Sequence, residues 1–265
     1  MLLTIDIGNS SICLGIFNED TLAATAKLSA DTKRSADEYA VTIRGLLSAR
    51  GIDPQQITAA IISSVVPKLT HTVEKSLSWN DLSPMPIYVV GNGVKTGISL
   101  RVDDPSQLGA DIVVNAVAAV QLCSTPVVVV DIGTATVISA VNEQRALIGV
   151  AIAPGPAVSL EGLHESAALI PYTELSAPAS PLGKSTSAAL RSGIVTGHAC
   201  MIDGMVDRIL KEYNLPESTA VLTTGGLAPL ITAECRHTFK HEEHLTLLGL
   251  YHMYNATVNV KNKKG

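Results

Sequence analysis

The length, composition and charge of the chain favour a two-domain α/β protein and exclude several classes of function. Its 265 residues suit two domains of roughly 130 residues each. Hydrophobic residues make up 46% but aromatic residues only 3%, so Val, Ile, Leu and Ala must fill the core, as in buried parallel or mixed sheets. The net charge of −5 provides no basic surface for nucleic acid or an anionic membrane, and we expect small molecules or proteins as partners.

The cysteines and the distribution of apolar residues favour a reducing cytoplasm. Cys13, Cys123, Cys200 and Cys235 form no CxxC pair, which argues against a zinc ribbon or a disulfide framework. We find no basic leader and no run of about 18 apolar residues, so we expect neither an export signal nor a membrane span. The expected location is cytoplasmic.

The first half of the chain predicts a three-stranded meander followed by alternating helices and strands. Apolar residues between 36 and 47 recur at helical spacing, and Gly51 is placed to end that helix. Pro67 suits the first turn of a second helix. The predicted strands are 2–6, 12–17, 22–28, 59–62 and 87–90, and the predicted helices are 35–50 and 67–77.

The second half repeats this order, which predicts an internal duplication. The predicted strands are 127–131, 137–141, 146–151 and 221–223, and the predicted helices are 111–119, 185–213, 228–234 and 245–255. We place the boundary near residue 115, which gives domains 1–115 and 116–265.

A turn after an acidic strand end occurs once in each half. The sequences are Asp6-Ile7-Gly8-Asn9-Ser10 and Asp131-Ile132-Gly133-Thr134-Ala135. Such a turn offers a carboxylate and backbone N–H donors to a polyphosphate, although a single copy is as readily an ordinary hairpin. Two matching copies and a later Thr224-Gly225-Gly226 turn resemble the actin-like ATPase fold. That fold implies duplicated ribonuclease H-like domains with mixed five-stranded sheets and a central cleft.

The chain resembles the type III pantothenate kinases over nearly its whole length. The matching segments, in family order, are Ser35–Tyr39, Ser63–Pro67, Gly93–Gly97, Gly109–Asp111, Asp131–Thr136, Ile152–Gly155, Lys184–Thr186 and Thr224–Ala228. The resemblance implies transfer of the γ-phosphate of ATP to pantothenate, giving 4'-phosphopantothenate in the first step of coenzyme A biosynthesis. It also implies a homodimer that uses Mg²⁺ and a monovalent cation, K⁺ or NH₄⁺.

The same resemblance assigns the nucleotide and cation residues. It implies that ATP phosphates and Mg²⁺ bind at Asp6, Ile7, Gly8, Asn9, Ser10, Ser11, Ile12 and Cys13. Thr134 would make a further nucleotide contact. Asp131 would hold the monovalent cation through carboxylate oxygen, a ligand that suits hard cations; the alternative is that Asp131 only caps a turn.

The resemblance makes Asp111 the catalytic base, which accepts the hydroxyl proton of pantothenate. Residues 111–119 predict a helix begun by this Asp, so we expect the helix N-terminus to keep the carboxylate ionised with a low pKa. Without the resemblance, the sequence pattern indicates only that Asp111 is the N-cap of this helix. The residues implied in pantothenate binding are Val102, Gly109, Ala110, Asp111, Ile112 and Thr186.

The substrate side departs from the family pattern at three positions. Ile112 replaces the Arg of Gly-Ala-Asp-Arg, Val102 replaces a Tyr, and Val150 replaces a Gly. Losing one charge-assisted hydrogen bond costs about 1.5 to 3 kcal/mol. Three hypotheses follow: an active pantothenate kinase; a non-catalytic or half-catalytic relative, such as a subunit of a mixed dimer with a paralogue or an accessory protein like the Bvg accessory factors; and another actin-like enzyme.

The helix predicted at 185–213 bears on assembly because it carries a long apolar stripe. The stripe consists of Ala188, Ala189, Ile194, Val195, Ala199, Ile202, Val206 and Ile209. It predicts either a dimer interface or intramolecular core.

Overall fold

Two mixed β-sheets organise the computed structural model, which describes residues 1–78, 85–91 and 93–262. The first sheet contains β1 (Leu2–Ile7), β2 (Ser11–Asn18), β3 (Thr21–Ser29), β4 (Ala59–Ser64) and β5 (Ile87–Val89). The second contains β6 (Ser99–Leu100), β7 (Val127–Ile132), β8 (Ala135–Val141), β9 (Ala146–Pro154), β10 (Ala220–Thr224) and β11 (Lys240–His241). The helices are α1 (Ala36–Ala49), α2 (Pro67–Ser76), α3 (Ala110–Leu122), α4 (Pro156–Ser166), α5 (Thr186–Glu212), α6 (Ala228–Thr232) and α7 (Leu245–Asn262).

The order of the strands confirms the predicted duplication. The first sheet runs β3-β2-β1-β4-β5, and the second contains the same order as β9-β8-β7-β10-β11. β1 is antiparallel to β2 and parallel to β4. In the same way, β7 is antiparallel to β8 and parallel to β10. The second sheet has six described strands rather than five, because β6 adds to β9 in parallel.

The chain divides into two compact units, and the division is more complex than the single boundary predicted at residue 115. One unit contains residues 1–97, 106–118 and the stretch from Thr246 onward, and the other contains residues 98–105 and 119–245. The C-terminal helix α7 therefore packs with the first sheet. The predicted domains 1–115 and 116–265 place α7 in the second half of the chain, whereas residues from Thr246 onward belong to the first compact unit. Sequence adjacency does not decide which surface a helix covers.

The first unit buries both faces of its sheet. One face packs on α1 and α2 through Ile5, Ile62 and Tyr39, all 0% exposed. On the other face Phe17 of β2 stacks on Tyr251 of α7 at 4.5 Å between ring centroids. Burial on both faces explains why the strands read as continuous apolar runs.

The second unit uses the apolar stripe of α5 as core. Val195, Ala199, Ile202 and Val206 are each 0% exposed and belong to the cluster that covers β7 and β8. Of the two interpretations of this stripe, intramolecular core therefore accounts for these four residues. The stripe itself provides no argument for a dimer.

Three elements, α4, β6 and β11, were not predicted from the sequence because their sequence patterns are too short or resemble a turn. Helix α4 begins with Pro156 at its first position, whereas the pair Gly155-Pro156 reads as a turn. Strands β6 and β11 have two residues each, too few for any periodicity. By contrast, the segment Ser35–Tyr39 forms the capping box of α1, with Ser35 and Glu38 bonded reciprocally.

Candidate active site

The first acidic turn joins β1 to β2 by a tight connection. The Gly8 N–H donates to the Ser11 carbonyl at 2.9 Å, and Asp6 lies opposite Cys13 in the ladder. The side chains of Asn9 and Ser10 are exposed at the tip. Ile7 and Ile12 are buried in the core, so only their backbone groups can contact a nucleotide. Of the eight residues predicted to bind ATP and Mg²⁺ at this turn, these two therefore use their side chains to pack in the core.

Val65 connects this turn to the predicted catalytic segment. Its N–H donates to the Ile7 carbonyl at 3.1 Å, at the carboxyl end of β1. Its Cγ1 lies 3.5 Å from the position that a Cβ on Gly109 would occupy. Val65 belongs to the segment Ser63–Pro67, which matches the family in sequence but has no predicted role. Val65 brings the acidic turn and the start of α3 together within the first unit.

Asp111 is the second residue of α3, two residues after the N-cap position. The Gly109 carbonyl accepts the Ile112 N–H at 3.2 Å, so Gly109 occupies the N-cap position and precedes the first helical residue, Ala110. The same Ile112 N–H also donates to Oδ1 of Asp111 at 2.9 Å. A Cβ on Gly109 would come within contact of that carboxylate, which explains why glycine suits the position.

The prediction of a low pKa for Asp111 is wrong in direction. Burial of the carboxylate raises its pKa, and hydrogen bonds from the backbone N–H groups of Ile112 and Asp111 only partly offset this. Desolvation disfavours the charged form, and here it outweighs the helix terminus. A carboxylate with a raised pKa is a better proton acceptor than an ordinary aspartate.

The second acidic turn resembles the first but is one residue shorter. Asp131 lies opposite Val137, and the Gly133 N–H donates to the Ala135 carbonyl at 3.0 Å. Thr134 is exposed at the tip. The turn thus presents a carboxylate, a tip hydroxyl and backbone groups, as the first one does.

Two glycines from other segments pack against this second turn. A Cβ on Gly155 would lie 2.1 Å from the Gly133 carbonyl oxygen, and one on Gly225 would lie 2.4 Å from the Ile132 carbonyl oxygen. Gly225 also has φ +98°, a conformation that favours glycine. The Pro-Gly and Gly-Gly motifs therefore meet at the end of β7 because only glycine fits there.

The acidic groups do not form a preassembled metal cage. Within the part of the chain that the structure describes, no group of three or more His, Cys, Asp or Glu side chains could hold a metal ion. Mg²⁺ usually binds one or two carboxylates together with substrate phosphates and water, so the single carboxylate of Asp6 fits a cation that arrives with a nucleotide. The assignment of a monovalent cation to Asp131 stays a prediction; a carboxylate is the type of oxygen donor that a hard cation prefers.

The residues predicted to bind substrate are divided between the units. Gly109, Ala110 and Ile112 belong to the first unit, and Val102 and Thr186 to the second. The side chain of Ile112 is only 7% exposed, so the position of the family Arg is part of the core here. Thr186 is the first residue of α5 and lines a recess of about 440 Å³ with Leu163, Ile170 and Leu190.

A larger groove of about 700 Å³ lies beside the C-terminal end of α5. Val150, Gly149 and Tyr213 line it together with Arg208 and Lys211. It contains none of the predicted catalytic or nucleotide residues. The replacement of a family Gly by Val150 therefore falls on a different surface of the second unit.

Comparison with known proteins identifies relatives for almost the entire chain. A family model described as type III pantothenate kinase matches residues 2–208. A type III pantothenate kinase of Geotalea daltonii is 42% identical over 255 residues, which cover 96% of this chain and 98% of that protein.

Solved structures with low sequence identity share the fold. A Campylobacter jejuni structure described as a Baf family transcriptional activator has a TM-score of 0.58 at 16% identity and covers 97% of this chain and 99% of its own. A Sinorhizobium meliloti structure described as a 2-dehydro-3-deoxygalactonokinase has a TM-score of 0.55 at 13% identity, with the same coverage of both chains. These likenesses support duplicated ribonuclease H-like domains.

The comparisons and the helices bear on two further expectations. Neither the family model nor the 42% identical relative supports the hypothesis of a non-catalytic accessory protein. Among the helices in the described ranges, none is long and apolar enough to cross a bilayer.

Proposed function

Because this chain belongs to the type III pantothenate kinase family and phosphorylates pantothenate with ATP, we propose that Asp111 is its catalytic base and that its two acidic turns hold the nucleotide. The observation that supports this assignment is the half-buried carboxylate of Asp111, whose pKa is raised by desolvation. Val65 ties its helix to the Asp6 turn. A proton acceptor next to a phosphate-binding turn is what phosphoryl transfer to a hydroxyl requires.

The Asp6 turn binds the polyphosphate through backbone N–H groups and the exposed tip residues Asn9 and Ser10. Asp6 holds Mg²⁺, which when bound neutralises charge on the transferring phosphoryl group. Thr134, exposed at the tip of the second turn, makes a further nucleotide contact. Asp131 holds the monovalent cation, K⁺ or NH₄⁺.

Asp111 accepts the proton of the primary hydroxyl of pantothenate as the phosphoryl group transfers. The Ile112 N–H, 2.9 Å from Oδ1, helps to fix the orientation of this carboxylate. In a loose phosphoryl-transfer transition state most of the rate comes from positioning and charge neutralisation. The main task of Asp111 is therefore to orient the nucleophile.

The pantothenate pocket of this chain lacks the family cation. Ile112 packs in the core and supplies no charge, and Val102 is half-buried and supplies no hydroxyl. Among the predicted substrate residues, the carboxylate of Asp111 and the backbone groups of Gly109 and Ala110 remain as polar groups in the first unit, and the hydroxyl of Thr186 remains in the second. Pantothenate is thus held with fewer charge-assisted bonds than in family members that keep the Arg.

We also propose a cytoplasmic homodimer. Large apolar side chains are exposed on the segment that precedes α5: Leu169 is 94%, Leu182 83% and Tyr172 82% exposed. These side chains precede Thr186 in the sequence, and we propose that a second copy of the chain covers them. The four cysteines are free thiols, which supports a reducing compartment.

The test of the dimer is light scattering of the wild type and of a Leu169→Glu/Leu182→Glu variant at micromolar concentration. We expect a dimeric mass for the wild type and a shift toward monomer for the variant. The matched control is Val41→Glu, a 72% exposed apolar residue on α1. A monomeric wild type refutes the dimer.

The test of the function is a coupled kinase assay on the purified chain with pantothenate and ATP, with and without K⁺ or NH₄⁺. We expect turnover in the ordinary kinase range, roughly 1 to 100 per second, that depends on the monovalent cation and is lost in Asp111→Asn. Asp131→Asn should weaken the cation dependence without abolishing ATP binding. Absence of ATP-dependent phosphorylation under all conditions would refute the proposal.

A further inference from the structure

The hydroxyl of Ser63 is a buried polar group without a hydrogen-bond partner. Ser63 lies near the end of β4 and is 0% exposed, and its Oγ makes no hydrogen bond in the structure. An unsatisfied buried hydroxyl destabilises a fold, since its bonds to water are lost and not replaced. A native chain retains such a group where something else depends on it.

The position of Ser63 indicates what depends on it. Ser63 is the direct lateral partner of Asp6 in the parallel pair of β4 and β1. Residues in register on neighbouring strands lie on the same face of the sheet, at a strand separation of about 4.8 Å. Cys13 is the partner of Asp6 on the other side, so hydroxyl, carboxylate and thiol form one row at the carboxyl end of β1.

The same lateral pair recurs in the second unit. There Thr224 of β10 is the register partner of Asp131 and is 4% exposed. Each acidic strand end therefore has a buried hydroxyl on the neighbouring parallel strand, whereas the partner on the antiparallel side changes from Cys13 to Val137. The recurrence links the hydroxyl to the carboxylate rather than to its other neighbours.

We propose that Ser63 is a positioning residue for the magnesium–nucleotide site, and that its hydroxyl donates to a carboxylate oxygen of Asp6 when Mg²⁺–ATP is bound. This inference rests on the proposed function, in which Asp6 holds Mg²⁺. A carboxylate that binds a cation through one oxygen needs its orientation fixed by a second partner. We assign this role to Ser63. Its hydroxyl makes no hydrogen bond in the free protein, which lowers the stability of the fold.

The proposal predicts opposite effects of one substitution on stability and on binding. Ser63→Ala removes the unsatisfied hydroxyl, so the melting temperature of the ligand-free protein should rise by about 2 °C or more. The same substitution should weaken ATP binding about tenfold in the presence of Mg²⁺. ATP binding in EDTA should stay unchanged, because the hydroxyl acts through Asp6 and the cation.

Ser64→Ala is the matched control. Ser64 is the next residue of β4, and its hydroxyl accepts the Val66 N–H at 3.1 Å, so its bonds are already made in the free protein. We expect Ser64→Ala to lower the melting temperature and to leave the Mg²⁺-dependent affinity for ATP unchanged. Calorimetry and thermal melts provide both measurements without any assay of turnover.

The outcomes separate this inference from the proposed function. If the wild type binds Mg²⁺–ATP and Ser63→Ala binds it equally well, Ser63 does not position Asp6. An equal loss of affinity with Mg²⁺ and in EDTA also overturns the inference, because it indicates a general distortion of the turn. If the wild type itself binds no ATP, the proposed nucleotide site fails and the inference fails with it.

Discussion

Asp111 illustrates at the scale of one residue how burial decides chemistry. Asp37 occupies the same second position of α1 that Asp111 occupies in α3. Asp37 is exposed, whereas burial raises the pKa of Asp111. Two acids at equivalent helical positions therefore differ in how much water their carboxylates lose on folding.

We expect Asp111→Asn to lower kcat by about 10²- to 10⁴-fold without lowering the melting temperature at pH 7. The folded pKa of Asp111 is raised, so the wild type loses stability as the pH rises from the unfolded-state value to the folded value. In the Asn variant the free energy of unfolding should not decrease over this pH range. Urea unfolding at several pH values measures the difference between the two proteins. In the pH profile of kcat/KM for the wild type, the apparent pKa of the acid limb should be higher than the ordinary aspartate value of about 4.

Asp37→Asn serves as the control for this substitution. Because Asp37 is exposed, the variant should retain its activity and its pH profile. A wild-type acid limb at the ordinary aspartate pKa, or full activity of Asp111→Asn, would contradict the assignment of the base.

At the scale of elements, the second acidic turn depends on glycines that come from distant segments. Gly155 follows β9 and Gly225 follows β10, and each lies against the backbone at the end of β7. A side chain at either position would push the turn away from the strand that supports it. The conformation of the turn is therefore a property of three segments rather than of its own sequence.

We predict that Gly155→Ala destabilises the protein by about 1 to 3 kcal/mol and weakens ATP binding, because a Cβ there would lie 2.1 Å from the Gly133 oxygen. Gly162→Ala in α4 is the control, since a Cβ at Gly162 meets nothing within 4 Å. That substitution should stabilise the helix by up to about 1 kcal/mol. Denaturant unfolding and calorimetry measure both variants; equal effects at the two sites would contradict the packing argument.

At the scale of the whole molecule, the first unit is completed by α7, which comes from the C-terminal part of the sequence. Helix α7 covers the face of the first sheet that carries Gly15 and Phe17, where Leu247 and Tyr251 make contact. Gly249 brings α7 against the backbone of Val114 in α3. Without α7 this apolar face is exposed to water.

We therefore expect the fragment 1–115 to lack a cooperative unfolding transition, although it contains the entire first sheet. A chain that ends at Leu245 should likewise lose the stable first unit, while adding a peptide of residues 246–262 should restore part of it. Circular dichroism during thermal unfolding tests both truncated chains. Cooperative melting of the isolated fragment 1–115 would refute the division into units described above.

Most helices and strands, the duplication and the resemblance to the family can be predicted from the sequence alone. These depend on local signals: periods of 2 and 3.6, acidic strand ends at Asp6 and Asp131, and glycines in short motifs. Such signals are local because each residue type restricts its own backbone and its nearest neighbours. Most predicted strands and helices therefore lie where the structure has them.

The folded chain, by contrast, is needed to know which surfaces meet and which groups lose water. It assigned α7 to the first unit, made most of the α5 stripe intramolecular core, reversed the expected pKa shift of Asp111, and showed that Ser63 is buried without a partner. Each of these depends on contacts between residues far apart in the chain. Desolvation and packing are properties of the assembled core, and no local pattern in the sequence contains them.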